Sequence, residues 1–459
     1  MRRFWITLVF ALSLPFVAVA QTNERDLLTA FMEDNLSGGG RTVTVTGFSG
    51  AFSSQAQMDS LTVADTQGVW LTLNKVTLDW SRASLLRGVV DVSELSADEV
   101  IVARKPLPDP NAVPSPEATG FALPELPVSV TIKTLQAKRI VLDASVMGQR
   151  IEGALIASAS LENGNGSANL SLTRSDNGPA GKLALTIAFN NSSKQLDMDL
   201  DLTEGAGGIA ANLLDIPEKP SVELKIAGTG PLDDFAAQLD LRTDGQERLA
   251  GDVTLKGTDD GTQTFLVDLN GDVAPLFLPD YAAFFGPQVG LKAEGQRSPM
   301  GQLDLTSLAV KTRAVSLDGA ATIAADGLPQ KFTLVGRLGL PSGEPVLLPF
   351  GSADETRVAS ADLNVGFDAS KGDGWSAAIT LTGLERADVA VGTAAIKGSG
   401  RITRRAGSGG TIIGGTLAFG AQDVALTDQN LAAALGQAID GKLVFDWQKG
   451  GLGFRIGRL

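Results

Sequence analysis

The stretch Leu196–Leu202 alternates strictly between large apolar residues and aspartates, in the order Leu-Asp-Met-Asp-Leu-Asp-Leu. Successive side chains of a β-strand point to opposite faces, so this stretch predicts a strand with one apolar face and one charged face. The same alternation recurs along most of the chain. We therefore predict a mostly β fold, an elongated and curled antiparallel repeating β-groove with a lengthwise apolar interior and a few short helices.

The apolar face of such a sheet has to be covered by a second sheet, by helices or by a bound apolar ligand. Helical patterns are scarce, and the alternation alone leaves a closed sandwich or β-helix open beside a groove. Lipid in a groove would gain about 0.8 kcal/mol per buried CH₂, on the order of 10 kcal/mol for a sixteen-carbon chain before entropy losses. The predicted groove-lining residues are Leu183, Leu185, Ile187, Phe189, Leu196, Met198, Leu200, Leu202, Val222, Leu224, Ile226, Leu239, Leu241, Phe265, Val267 and Leu269.

The composition argues against catalysis and against nucleic acid. The chain contains no histidine and no cysteine, which removes the commonest general base, the commonest zinc ligands and thiol nucleophiles. We predict no catalytic residue, no cofactor and no metal. Asp197, Asp199 and Asp201 lack a glycine-bearing acidic loop, so we interpret them as a solvated face and not as a calcium site. The net charge of −14 disfavours a nucleic-acid partner.

The N-terminus carries a targeting pattern. Met1-Arg2-Arg3 is basic, residues 4–20 are mostly apolar, and Ala18-Val19-Ala20 has the small residues of a cleavage site. We predict a signal peptide or signal anchor over residues 1–20. Either form places the rest of the chain outside the cytoplasm, and the uncleaved form would hold it in the inner membrane through residues 4–20.

Three segments have helical spacing or caps, namely 23–36, 280–285 and 428–439. Seven prolines between residues 104 and 128 predict an exposed linker. We thus divide the chain into a helix and β unit over 21–103, a linker over 104–128 and a repeating β-groove over 129–459. Within 69–80 the alternation changes phase, which predicts a β-bulge near Asn74-Lys75.

Several short motifs resemble a known family. Gly47-Phe48-Ser49-Gly50, the segments 68–71, 78–81 and 85–88, and Ala103-Arg104-Lys105-Pro106-Leu107-Pro108 are similar to the N-terminal portion of TamB proteins. These are the translocation and assembly module proteins of the AsmA-like, bridge-like lipid-transfer superfamily, here in an alphaproteobacterial form. Further similar segments are 228–232, 274–276, 284–287, 348–350 and 431–436.

The resemblance implies an inner-membrane anchor, a long periplasmic β-groove and phospholipid as the cargo. It also implies a partner, an outer-membrane barrel of the TamA type, and a role in outer-membrane biogenesis. Members of the family are longer and contact the barrel through a C-terminal domain. Here the alternation continues to Leu459, so we predict a truncated chain whose barrel contact belongs to a missing part.

Three functions follow as hypotheses. The first is a non-catalytic conduit that shields acyl chains between the inner and outer membranes. The second is an assembly factor or chaperone that offers strand edges to outer-membrane proteins or autotransporters by β-augmentation. The third is an extracellular β-solenoid adhesin. The sequence does not decide whether lipid or polypeptide occupies the first two.

Overall fold

A computed structural model describes residues 33, 37, 40–50, 54–85, 87–107, 123, 128–349, 355–404, 411–448 and 451–458. The fold is mostly β, with a few short helices, as the alternation predicts. The predicted signal segment, the helix predicted over 23–36 apart from Glu33, and most of the proline-rich linker lie outside the described residues.

The strands run in chain order along the described residues. They are β1 Thr42–Thr46, β2 Gln55–Asp65, β3 Gly68–Trp80, β4 Val89–Val102, β5 Ser129–Leu142, β6 Ile151–Glu162, β7 Asn165–Arg174, β8 Gly181–Asn190, β9 Gln195–Glu204, β10 Val222–Pro231, β11 Asp234–Thr243, β12 Gln246–Gly257, β13 Gln263–Gly271, β14 Val289–Arg297, β15 Leu303–Lys311, β16 Val315–Ile323, β17 Pro329–Gly339, β18 Val346–Leu347, β19 Thr356–Asp368, β20 Gly374–Arg386, β21 Val389–Arg404, β22 Thr411–Leu426, β23 Ala438–Gln448 and β24 Gly451–Arg458.

The described helices are short and stand between strands. They are α1 Arg82–Leu85, α2 Ala144–Met147, α3 Ile209–Leu213, α4 Ala282–Phe285 and α5 Gln429–Leu435, with 3₁₀ turns at Ala274–Leu276, Pro279–Tyr281 and Ala369–Lys371. The helix predicted over 280–285 is confirmed as a 3₁₀ turn followed by α4.

The helix predicted over 428–439 is wrong at its C-terminal end. The Asp428 carboxylate caps α5 by accepting hydrogen bonds from Asn430 N and Leu431 N, and the helix stops at Leu435. Gly436 follows at a φ of 73°, and Ile439 is already in β23, opposite Ala421 of β22. The apolar spacing that suggested a longer helix thus joins residues of two different elements.

The chain divides into two compact units, Met1–Gln246 and Glu247–Leu459. In the first unit, β1 to β4 form an antiparallel meander and β5 to β11 form a second one. The two meanders join through β4 and β5, which pair in parallel, from Val89 with Ser129 to Val102 with Leu142. This parallel pair departs from the uniformly antiparallel prediction and spans the proline-rich segment. The sequence-based domain boundaries stay predictions.

In the second unit, β12 to β17 and β19 to β24 pair with their neighbours in antiparallel fashion. The short strand β18 pairs with the start of β19, beyond the end of β17. Beside it, Phe284 and Phe285 of α4 form a buried cluster with Ala314 and Val346. This cluster packs at the edge where β14 begins and where β15 and β17 end.

The predicted phase change in β3 is present and centres on Lys75, which has a φ of 51°. The register with β2 and β4 is the same on both sides of this residue, so no residue is inserted and the β-bulge predicted at this point is wrong. The left-handed conformation instead turns the alternation over, which lets Leu71, Leu73 and Val76 pack in one cluster. Lys75 Nζ donates a hydrogen bond of 2.6 Å to Asp59, and this carboxylate raises the pKa of Lys75.

Hairpin turns appear where the sequence places them. Asn163 and Gly164, with φ values of 48° and 73°, connect β6 to β7, and Asp244 and Gly245 have φ values of 50° and 72°. Two consecutive residues at positive φ give the type I′ turn, whose twist matches that of the adjoining strands.

Candidate apolar binding surface

The strand register places the predicted groove residues of the first unit in rows across the sheet. Residues that face each other in paired strands share a face. One row runs through β7 to β11 as Leu172, Leu183, Leu202, Leu224 and Leu241. The next row is formed by Leu170, Leu185, Leu200, Ile226 and Leu239. We call the surface formed by these rows and their continuations toward Phe189 the apolar face of the first unit.

Two further rows continue this face toward the other ends of the strands. Ala168, Ile187, Met198, Gly228 and Ala237 form the first of them. Leu161, Gly166, Phe189 and Leu196 form the second, which begins on β6. Twelve of the thirteen predicted residues of this unit therefore lie in these rows, and the thirteenth, Val222, lies at their border, opposite Glu204 and Thr243.

The opposite face of the same strands is polar. Asp199 stands opposite Thr186 and Ala227, and Asp201 pairs with Lys225, with 3.6 Å between the charged atoms. Asp197 accepts a hydrogen bond from Gln195 Nε2 at 3.1 Å and another from the Thr229 hydroxyl. Among the described residues no group of three or more acidic, histidine or cysteine side chains is arranged to hold a metal ion.

The second unit has an apolar face of its own. Phe265 stands opposite Leu255 and Gly295, Val267 opposite Val253 and Ala293, and Leu269 opposite Gly251 and Leu291. Farther along, Trp375 of β20 lies over glycines. A Cβ atom on Gly398 would stand 2.8 Å from the indole ring, so glycine provides the space for the ring on the sheet.

The predicted groove residues are covered only in part. Of the sixteen, Phe189 and Val222 are buried, at 4% and 2% exposure, and the other fourteen are half-buried. A residue in a closed sandwich core is covered on every side and contacts many neighbours. The apolar face is therefore present, but at these positions the described part of the chain does not seal it.

A concavity lies on this face between β5 and β8. Its volume is about 160 Å³, and its lining is almost entirely apolar. Ile132, Leu135, Ala157, Leu170 and Leu185 contribute to the lining. Of these only Leu185 belongs to the predicted set. Leu170 was within reach of the sequence pattern, because residues 169–173 alternate in the same way as Leu196–Leu202.

One border of the apolar face is closed by polar contacts. The buried Glu204 carboxylate accepts hydrogen bonds from Ile209 N at 2.9 Å and Ala210 N at 2.6 Å, which fixes the start of α3 at the end of β9. Beside this contact, Ala211 and Ile216 are buried, whereas Leu213 and Leu214 are exposed by 55% and 68%. The start of this short helix is thus fixed at one border of the apolar face.

The other border carries a residue that the sequence pattern did not single out. Leu123, from the proline-rich segment, donates its backbone N–H to Asn191 Oδ1 and accepts a hydrogen bond from Asn191 Nδ2, both at 2.8 Å. A Cβ atom on Gly166 would stand 2.5 Å from Leu123 Cδ1, so the leucine side chain lies against this glycine. Gly166 is the neighbour of Phe189 across the sheet.

The start of the proline-rich segment is also held, at the opposite edge of the sheet. Arg104 forms a two-pronged ion pair with Asp65, in which Nη1 donates to Oδ2 at 2.9 Å, and Leu107 N donates to the same carboxylate at 3.0 Å. The Arg104 guanidinium is the main cause that holds the pKa of Asp65 far below its usual range.

Comparison with known proteins leaves the family open. No family model matches the chain, and no curated protein or solved structure is significantly similar to it. The resemblance to the TamB family therefore stays a prediction. None of the described helices has the length and apolar character that crossing a membrane requires.

Proposed function

We propose that the chain is a non-catalytic carrier of lipid, in which acyl chains lie along the apolar β faces during transport between the inner and outer membranes. The single observation that carries the proposal is the half-buried state of fourteen of the sixteen predicted residues, which lie on the apolar face of the first unit or on that of the second, each with its rows in register. Water in contact with this surface is unfavourable, and each CH₂ that replaces it contributes about 0.8 kcal/mol.

The shape and the chemistry of the two faces support the same proposal. The concavity on β5 to β8 is lined mainly by Leu, Ile and Ala side chains, whose surface matches that of hydrocarbon. The opposite face carries paired charges and suits contact with water. In this proposal the cargo is phospholipid, the location is the periplasm, and an outer-membrane barrel of the TamA type is the acceptor.

Site-specific photo-crosslinking tests the proposal directly. The full chain would carry a benzophenone amino acid at Leu200 on the apolar face, or at the adjacent Asp199 on the polar face as the matched control. Each protein would be incubated with vesicles of radiolabelled phosphatidylethanolamine and phosphatidylglycerol and then irradiated. We expect labelled lipid on the protein with the probe at residue 200 and little label with the probe at residue 199.

The same experiment separates the conduit from the assembly factor. If the apolar face receives client polypeptide, the probe at residue 200 crosslinks to protein in cell envelopes and not to lipid in vesicles. Equal lipid labelling from both positions would show that the label reports non-specific contact with the vesicles, and the proposal would be abandoned.

A further inference from the structure

The further inference concerns Leu123 and the Phe189 end of the apolar face. The strands β4 and β5 are parallel, and the start of β5 lies beside the start of β4. The chain therefore has to return from the C-terminal end of β4 to the opposite ends of the strands before β5 begins. The anchors at its two ends agree with this course. Arg104 is held by Asp65 where β2 ends, and Leu123 is held by Asn191 in the turn between β8 and β9.

Leu123 lies beyond the strands that the connection joins. Leaving β4 and entering β5 requires no contact with β7, β8 or β9. Nevertheless the Leu123 side chain lies on Gly166 of β7, and its backbone is bound on both sides by Asn191, 68 residues farther along the chain. The Asn191 side chain makes both of these hydrogen bonds, a donor and an acceptor contact to the same residue.

The neighbours of Leu123 show that it lies on the apolar face of the first unit. Gly166 pairs with Leu161 and Phe189, and the same would-be Cβ atom that meets Leu123 also meets Leu161 Cδ1, at 3.6 Å. Leu123 is thus on the face of the predicted groove residues, and at this end Phe189 is 4% exposed while its neighbour Leu196 is half-buried.

We infer that Leu123 is an intramolecular occupant of the apolar face, which competes with an acyl chain for the surface around Gly166, Phe189 and Leu196. The inference rests on the proposed function, because it assigns a regulation to the same surface. The Leu123 side chain is a branched hydrocarbon and is apolar like an acyl chain. The Leu123 backbone is held by two neutral hydrogen bonds, each of which contributes a small net stability. Lipid can therefore displace it, and its release opens this end of the face.

Removing the Asn191 side chain, which holds Leu123 in place, tests the inference. The variant Asn191→Ala loses both contacts to Leu123 and keeps its backbone hydrogen bond to Gly164. With a benzophenone at Leu196 and sub-saturating phospholipid vesicles, we expect labelling to rise about five- to thirty-fold, the effect of losing two neutral hydrogen bonds of small net stability. The matched control is Asn270→Ala in the second unit, whose side chain donates a hydrogen bond to Asp268 and which should leave labelling unchanged.

A covalent link between positions 123 and 166 gives the opposite perturbation, because it keeps residue 123 on the apolar face. The chain has no cysteine, so Leu123→Cys with Gly166→Cys introduces one possible disulfide, at the place where the Leu123 side chain lies against the Gly166 backbone. We expect oxidation to reduce labelling at residue 196 several-fold and reduction to restore it in the same sample. Failure of the two cysteines to form a disulfide would contradict the contact on which the inference stands.

The outcomes distinguish this inference from the proposed function. If no lipid labels residue 200 or residue 196 in any variant, the lipid-carrier proposal fails, and the inference fails with it. If lipid labels residue 200 but neither Asn191→Ala nor the disulfide changes labelling at residue 196, the carrier survives. Leu123 is then only a tether of the connection.

Discussion

The exchange of an apolar for a charged side chain at Leu200 examines the face assignment most directly. Leu200 stands between Leu185 and Ile226 in the middle of the apolar face, and it is half-buried before any ligand binds. In Leu200→Asp the carboxylate has to stay hydrated, since an ionised group under hydrocarbon is strongly unfavourable. A bound acyl chain then loses contact over two or three CH₂ groups, which is about 1.6–2.4 kcal/mol.

This free energy corresponds to an affinity for phospholipid lower by roughly 15- to 50-fold. The matched variant is Asp199→Leu, one residue away on the polar face opposite Thr186 and Ala227, and its expected change is less than about two-fold. The assay is a titration of each full-length variant with radiolabelled phospholipid vesicles, with the photo-crosslinker at Leu224 in both.

Circular dichroism and thermal unfolding establish beforehand that both variants keep the β fold. If Leu200→Asp and Asp199→Leu weaken capture equally while both stay folded, the two faces do not differ toward lipid. The assignment of Leu200 to a ligand surface is then refuted, and the apolar face would function by contact with a protein.

Three further predictions concern the framework that shapes this surface. Replacing Lys75, which has a positive φ, by valine should destabilise the chain by about 1–3 kcal/mol. The control Lys138→Val removes a similar exposed ion pair at an ordinary φ and should change stability by under about 0.5 kcal/mol. Equal unfolding midpoints for the two variants would contradict a role for the left-handed conformation. Gly398→Ala should cost about 1–3 kcal/mol because its Cβ meets an indole ring, whereas Gly420→Ala has open space and should be nearly neutral, as compared by chemical denaturation. Asp65→Asn should lower the melting temperature at neutral pH. The difference from the unmodified chain should shrink as pH falls below about 4, because the Asp65 carboxylate, whose pKa is depressed in the fold, stabilises the fold only while it is ionised. A difference in melting temperature that stays the same down to about pH 2 would exclude the ion pair as its source.

The alternation in the sequence predicts the strands and their faces well, because both are local properties. The predicted set Leu183, Leu185, Ile187 and Phe189 falls within β8, and the set from Leu196 to Leu202 falls within β9. A period of two fixes which side chains share a face as soon as the segment is extended. The helix predicted over 428–439 is present as Gln429–Leu435 and wrong only at its C-terminal end, because the i, i+4 spacing continues past Gly436 into a strand.

Pairing between distant strands is not a local property, and no pattern in the sequence indicates it here. Nothing in the proline-rich segment states that β5 will join β4 in parallel, since the prolines exclude helix and central strand but do not select a neighbour. The contact of Leu123 with Asn191 depends on this pairing, and it is invisible in any short window. This contact also bears on whether lipid can bind. The Leu123 side chain and an acyl chain are alternative partners for the same half-buried apolar face. A surface that attracts hydrocarbon must either be open or hold a substitute that binds weakly, and two neutral hydrogen bonds are suited to the second role.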